Sequence, residues 1–240
     1  MKLVKRCFLL AVTLAGFATA NAQTVDEILA KHLDAIGGKE KLNGITSVRM
    51  ESTMQVMGSD APSTTVILNG KGYRNEAEFN GQQMVQVYTD KGGWAINPMA
   101  GSADAQAMPE EQYKAGQDQI YIEPFVNYAA RGSKAVLQGR EKVGTVDAYK
   151  VKLTNKDSSA TTYYIDPTTY YIVQSVRSAD MMGQQLDITT GYSNYKKTDY
   201  GWVVPQAMDI NFGGQFSLTA VVNKVEVNKP VDASLFEMKK

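Results

Sequence analysis

Hydrophobic and polar residues alternate along most of the chain between residues 48 and 227. In the segment from Ser47 to Met57, apolar or small residues take every second position, and charged or polar residues lie between them. This period of two is typical of a β-strand that is buried on one face and solvated on the other. Similar runs predict further strands at about 64–69, 73–79, 84–89, 94–97, 135–143, 149–153, 185–196, 203–212 and 216–227.

The clearest turn lies within residues 161–177, which read TTYYIDPTTYYIVQSVR. Two runs rich in Tyr, Ile, Val and Thr flank the turn at Asp166 and Pro167. Proline presets its own φ, and the aspartate side chain can accept a hydrogen bond from the backbone ahead, so the chain reverses here. Because turn residues such as Asn-Gly and Gly-Gly separate the other runs as well, the pattern predicts a mainly β fold built as a large antiparallel meander.

Two stretches, at 24–36 and 98–130, depart from this alternation. Thr24 to Ile36 has apolar residues at helical spacing, with Thr24 as the predicted N-cap and Gly37-Gly38 as the end of the helix. Pro98 to Ala107 is predicted to be a loop, and Pro109 to Gly116 a short helix that begins at proline. Residues 119–130 are apolar and aromatic, and they are predicted to be helical or irregular.

The N-terminus has the pattern of a secretory signal peptide. A basic stretch with Lys2, Lys5 and Arg6 precedes the apolar run from Cys7 to Phe17, and Ala20-Asn21-Ala22 is a cleavage motif of small residues. We therefore expect an exported protein with a signal peptide at 1–22 and a single domain at 23–240. Since Cys7 lies at the start of the apolar run and not at the cleavage motif, it cannot become the acylated first residue of a mature lipoprotein.

Composition excludes several classes of function. Removing the three basic signal residues from 25 Lys and Arg against 25 Asp and Glu leaves a formal net charge of −3, which offers no electrostatic surface for nucleic acid. The mature chain has no cysteine and a single histidine, His32, so neither a thiol site nor a zinc site is expected, and no cofactor is predicted. His32 itself is expected to be a solvated or half-buried helix residue.

Other residue types leave alternatives open. Carboxylate pairs such as Asp187 with Asp209, or Glu76 with Glu78, keep hydrolysis as a lower-ranked hypothesis, although solvated strand faces explain them more simply. The chain also has 11 methionines, whose flexible thioethers suit either a surface for variable apolar ligands or an irregular core.

Three features together resemble a known family: the entry VDEILAKHLDAIGGKEKLNGITSVRM, the hairpin YYIDPTTYYIVQSV and the terminal DASLFEM. In this order they are similar to the outer-membrane lipoprotein-sorting proteins of the LolA/LolB-like superfamily, in a form common in Bacteroidetes. The resemblance covers essentially the whole mature chain. It implies an open, curved antiparallel half-barrel with an apolar concave face, lidded by the N-terminal helix and by the insertion at Pro109 to Ala130.

The resemblance also implies a function and a site. We expect a periplasmic, non-enzymatic carrier or binder of lipid or of lipoprotein acyl chains, monomeric, with possible membrane-protein partners in the envelope. The alternative is an envelope scaffold or interaction module whose half-barrel is filled by its own side chains. Lys71 and Arg74 are the only candidates for the family's gating arginine. The expected cavity lining consists of Met50, Met54, Trp94, Ile96, Phe125, Tyr128, Met208 and Ile210.

Overall fold

The computed structural model describes residues 23–56, 58–181 and 184–238. The predicted signal peptide therefore lies outside the described residues. The α-helices are α1 (Val25–Ala35), α2 (Lys39–Asn43) and α3 (Glu110–Gly116), and short 3-10 turns lie at Pro98–Ala100, Gln117–Ile120, Ala129–Arg131 and Ala233–Phe236. None of the described helices has both the length and the apolar character needed to cross a membrane.

The strands form one 13-stranded antiparallel sheet, in the order β6-β5-β4-β3-β2-β1-β13-β12-β11-β10-β9-β8-β7. The sheet is open, since β6 and β7 are its two edges. Their bounds are β1 (Ser47–Val56), β2 (Ser59–Leu68), β3 (Gly72–Phe79), β4 (Gln82–Thr89), β5 (Gly93–Asn97), β6 (Ser102–Ala107), β7 (Lys134–Val143), β8 (Val146–Thr154), β9 (Ala160–Ile165), β10 (Ile172–Met181), β11 (Gln184–Lys197), β12 (Val203–Phe212) and β13 (Phe216–Val227).

The predicted mainly β fold and its meander are confirmed, and two details are corrected. The predicted loop at 98–107 contains the edge strand β6, and β2 begins five residues before its predicted start. The hairpin turn at Asp166 forms as expected, because the Asp166 Oδ1 atom accepts a hydrogen bond of 2.7 Å from the Thr168 amide. Thr24 caps α1 through a reciprocal pair of hydrogen bonds with Glu27.

The contacts of α3 show that the sheet is strongly curved. Tyr113 donates a hydrogen bond of 2.9 Å to the Thr89 carbonyl at the end of β4, and the Ala115 carbonyl accepts one of 3.1 Å from Arg177 on β10. Six strands separate β4 from β10 in the sheet. In a flat sheet these strands would lie about 34 Å apart, whereas a helix of this length spans about 10 Å. The two halves of the sheet therefore curl toward each other around α3.

Each face of the sheet has its own cluster of buried side chains. On the inner face, which α3 contacts, α1, α2 and the segment around Phe125 pack against one end of the half-barrel and close it. On the outer face, the C-terminal segment packs Phe236 against Trp94 and the valines of β2 and β4. Phe236 is buried there at 6% exposure, whereas the neighbouring Leu235 is 38% exposed.

Candidate functional site

Strand register identifies the residues that face the interior of the half-barrel. Paired residues of antiparallel strands point to the same face of a sheet. Met54 on β1 pairs with Ala220 on β13, and Ala220 pairs with Met208 on β12. Met50 on β1 and the pair of Ile210 with Leu218 on β12 and β13 occupy further inner positions. We call this surface the apolar strip; its residues are Met50, Met54, Met208, Ile210 and Leu218.

The apolar strip is only partly covered by the protein itself. All five of its side chains keep intermediate solvent exposure, although they face inward. By contrast, Ile28 and Phe125 at the closed end are 0% and 2% exposed. Hydrophobic surface that faces inward and still contacts solvent is free to be covered by an apolar ligand.

Tyrosines occupy the inner face on both sides of the apolar strip. Burial raises the pKa of Tyr73 to about 12, with a further contribution from the neighbouring Tyr88. Burial also raises the pKa of Tyr163 and the pKa of Tyr192 above the usual tyrosine value. These phenols therefore remain uncharged at neutral pH, so the inner face offers hydroxyl groups without introducing negative charge.

The insertion at residues 109–130, which we call the lid, contacts the inner face through α3. Gly116, at the end of α3, lies so close to the Tyr88 ring that a Cβ atom at this position would overlap it. On the other side of the half-barrel, Arg177 holds the Ala115 carbonyl, and its positive charge opposes the rise in the pKa of Tyr88. The lid therefore packs against Tyr88 on β4 at one side, and at the other side it accepts a hydrogen bond from Arg177 on β10.

Two expected lining residues belong to the closed end. Phe125 is 2% exposed, and its ring packs edge-on against Tyr163 at a centroid distance of 4.9 Å. Tyr128 packs against the same cluster, and its hydroxyl donates a hydrogen bond of 3.1 Å to Asp26 on α1. Both residues therefore anchor the lid segment and lie beside the apolar strip without forming part of it.

The assignment of Trp94 and Ile96 to the cavity is corrected by the geometry. Trp94 pairs with Val87, and Val87 belongs to the outer-face cluster beneath the C-terminal segment. The Trp94 indole N–H donates a hydrogen bond of 2.9 Å to the Phe236 carbonyl, and Ile96 packs against the same cluster. Because both sides of β5 are covered, its apolar residues gave no reliable indication of which face is concave.

Neither gating candidate lies against the lid. Arg74 is on the outer face, where it forms an ion pair with Glu76 and donates a hydrogen bond of 2.9 Å to the Leu235 carbonyl. Lys71 is exposed in the turn between β2 and β3. Arg177 on β10, which sequence reasoning did not select, does bind the lid through the Ala115 carbonyl.

His32 is buried, which corrects the expectation of a solvated or half-buried helix residue. The side chain is 2% exposed, and its Nδ1 atom lies 2.7 Å from the Tyr170 carbonyl. Nε2 lies 3.5 Å from the Glu123 carboxylate in the lid segment, at the long limit of a hydrogen bond. Desolvation lowers the His32 pKa, but Glu123 and the Tyr170 carbonyl outweigh it, so the pKa is raised above 6.5.

This raised pKa predicts a pH-dependent stability. A group whose pKa is higher in the folded state stabilises the protein fully below its unfolded pKa, and the contribution is lost as pH rises through the folded value. We expect the urea midpoint to fall as the pH is raised from about 6, and Glu123→Gln to flatten this dependence. Since His32 is the only histidine, its ring resonances report the titration directly by NMR. An unchanged pH profile in Glu123→Gln would contradict the coupling.

The carboxylates considered for hydrolysis take part in ordinary strand contacts. Asp209 accepts a hydrogen bond of 2.9 Å from Thr219, and Asp187 accepts one of 2.6 Å from Ser178. Both aspartates are exposed, and Glu76 is paired with Arg74. Among the described residues, no three His, Cys, Asp or Glu side chains are grouped closely enough to hold a metal ion.

The architecture is shared with solved structures. A LolA superfamily protein from Nitrosomonas europaea superposes with a TM-score of 0.59 at 13% identity, covering 90% of this chain and 98% of that one. An outer membrane lipoprotein-sorting protein domain from Vibrio parahaemolyticus gives a TM-score of 0.57 at 13% identity, covering 88% of this chain and 94% of that one. The chain has the LolA-type fold. At these identities the likeness concerns the fold alone.

The LolA-type fold also extends to a DUF1329 family protein from Desulfovibrio piger, with a TM-score of 0.53 at 11% identity over 90% of this chain and 98% of that one. No protein-family model matches the chain, and no curated protein matches it in sequence. The residues of this LolA-type fold, and not a close relative, therefore indicate the function.

Proposed function

We propose that the protein is a periplasmic, non-catalytic carrier or binder that holds the acyl chain of a lipid or lipoprotein against the apolar strip. The observation that carries this proposal is the partial exposure of five inward-facing apolar side chains on β1, β12 and β13, strands that lie between the two points where α3 contacts the sheet. Burying each methylene of an acyl chain contributes about 0.8 kcal/mol, so a single chain is sufficient for useful affinity.

Three further observations support the proposal. The N-terminal sequence predicts export, and two of the superposed structures are described as a lipoprotein-sorting domain and a LolA superfamily protein. The phenols of the inner face remain neutral, so they do not repel an apolar chain. We further propose that the protein acts as a monomer and exchanges its cargo with envelope membrane proteins.

Aspartate substitutions in the apolar strip test the proposal. We expect Met54→Asp and Met208→Asp each to weaken binding of a monomeric fluorescent fatty acid by about thirtyfold or more, because a carboxylate would have to be buried against the chain. Val221→Asp is the matched control, since Val221 is an exposed residue of β13 next to the inward-facing Ala220. The measurement is a fluorescence titration, with thermal unfolding as the check on folding.

The outcome distinguishes the carrier from the scaffold. If the wild-type protein takes up no fatty acid, or if both aspartate variants bind as well as Val221→Asp, the carrier proposal is wrong. The scaffold alternative draws support from the closed end, where the protein fills part of the inner face with its own side chains. Native mass spectrometry of detergent-free protein, followed by solvent extraction, would identify the bound molecule.

A further inference from the structure

The turns at the two ends of the strands differ sharply in charge. At one end, five adjacent hairpins join β5 to β6, β3 to β4, β1 to β2, β12 to β13 and β10 to β11. Their tips, taken over the described residues 98–101, 79–82, 56 and 58–59, 212–216, and 181 and 184, contain no Asp, Glu, Lys or Arg. At the opposite end, the turns carry Lys71, Asp90, Lys91, Asp166 and Asp199. We call the first set of tips the uncharged rim.

The uncharged rim exposes large apolar side chains. Met99 is 63% exposed, and Phe216 is 41% exposed. The Phe216 ring stacks on Phe212 at a centroid distance of 4.3 Å. Their turn is held in shape, because Asn211 Oδ1 accepts a hydrogen bond of 2.8 Å from the Gly214 amide and both Gly213 and Gly214 have positive φ. The rings are therefore presented on an ordered turn.

The uncharged rim is continuous with the apolar strip. Phe212 pairs with Phe216, and the next inward pair along the same two strands is Ile210 with Leu218. An acyl chain that lies along the inner face of these two strands passes from one apolar pair to the next without meeting a charged side chain of either strand. The next hairpin, between β8 and β9, carries Lys156 and Asp157, so the uncharged rim ends at β10. Asp157 accepts a hydrogen bond from Gln117 of the lid.

We propose that the uncharged rim docks on the surface of a lipid bilayer with neutral headgroups, so that Met99 and Phe216 enter the interface and the apolar strip opens toward the acyl chains. The opening of the apolar strip toward the acyl chains rests on the proposed function, whereas the docking itself rests on the exposed apolar side chains of the uncharged rim. Exposed apolar side chains without charge are excluded from water but accepted at the boundary between headgroups and acyl chains.

The charges around the uncharged rim decide between neutral and anionic lipid. The charged residue nearest in sequence to each tip is acidic: Asp60, Glu78, Asp104, Asp180 and Asp209. Attraction to an anionic membrane requires lysine or arginine near the surface. Docking should therefore be driven by apolar contact, depend little on salt and gain nothing from anionic lipid.

The test is sedimentation of the mature protein with phosphatidylcholine vesicles, with and without added phosphatidylglycerol, at low and high salt. We expect Met99→Ser/Phe216→Ser to weaken binding to neutral vesicles by about tenfold to hundredfold, as two partly exposed apolar side chains are lost. The matched control is Val136→Ser/Val221→Ser, which removes two similarly exposed apolar side chains away from the rim. Fatty-acid uptake without vesicles is measured on the same variants.

Each outcome has a defined meaning. A loss of vesicle binding in the rim variant that is larger than any loss of fatty-acid affinity, with thermal stability retained, supports the inference. It is overturned if the wild-type protein ignores neutral vesicles, if binding requires phosphatidylglycerol, if the control weakens binding as much, or if the rim variant only abolishes self-association. Vesicle binding through the rim without any fatty-acid uptake would sink the proposed function and leave the docking surface standing.

Discussion

Replacement of Trp94 by alanine is expected to lower the free energy of unfolding by about 3–5 kcal/mol, as is usual for a large aromatic side chain removed from a core. Trp94 is 8% exposed and fills the space between the sheet and the C-terminal segment. The substitution also leaves the Phe236 carbonyl without its 2.9 Å hydrogen bond, and it removes the ring beneath Arg74. Urea denaturation of the variant measures the loss.

The same variant separates stability from ligand binding. Because Trp94 lies on the outer face, we expect Trp94→Ala to bind the fatty-acid probe with unchanged affinity at temperatures where it is folded. Trp94→Phe serves as the control, since it keeps most of the apolar contact and loses only the indole N–H. If Trp94→Ala is folded but no longer binds the probe, Trp94 belongs to the cavity lining and its assignment to the outer face alone is wrong.

The second large effect is expected at Gly116, where the lid approaches the sheet. Gly116→Ala should lower the free energy of unfolding by about 1–3 kcal/mol, because the added methyl overlaps the Tyr88 ring and forces α3 away from β4. Tyr88 cannot easily move aside, since Gln86 holds its hydroxyl at 2.8 Å and Tyr113 stacks on its ring. A displaced lid should also release the fatty-acid probe faster, which stopped-flow dissociation measures.

Two comparisons make this effect specific to the contact. Gly92→Ala is the matched control, because a Cβ atom at Gly92 meets nothing within 4 Å. In the double variant Gly116→Ala/Tyr88→Leu, the smaller side chain at position 88 makes room for the methyl group. We therefore expect the two losses to be less than additive. Equal effects of Gly116→Ala and Gly92→Ala would mean that the close approach to Tyr88 is unimportant.

Much of the fold was predictable because alternation along a strand reflects burial on one face. Alternation was uninformative where a strand is covered on both faces or has few large apolar residues. Trp94 and Ile96 flank a small residue, Ala95, on a strand covered from both sides, so the pattern could not say which face was concave. The edge strand β6 reads SADAQA, whose small and polar residues carry a weak strand signal.

The site was less accessible to sequence reasoning, because its key contacts join distant segments. Arg177 reaches Ala115 across 62 positions, and nothing in its own strand distinguishes it from other polar residues. His32 looked like a surface residue until Glu123 and Tyr170 were placed beside it. By contrast, strand register places Met50, Met54, Met208 and Ile210 on the inner face, as expected; that they contact a ligand stays a prediction.

The strand order has a consequence for how the chain folds. Every pair of described strands but one joins neighbours along the chain, and the exception is β1 with β13. Local hairpins form with little loss of chain entropy, whereas ends that are far apart in sequence must close a long loop before their contacts stabilise anything. The entropic barrier of this sheet is therefore concentrated at a single junction, where two separately forming meanders, β1 to β6 and β7 to β13, must find each other.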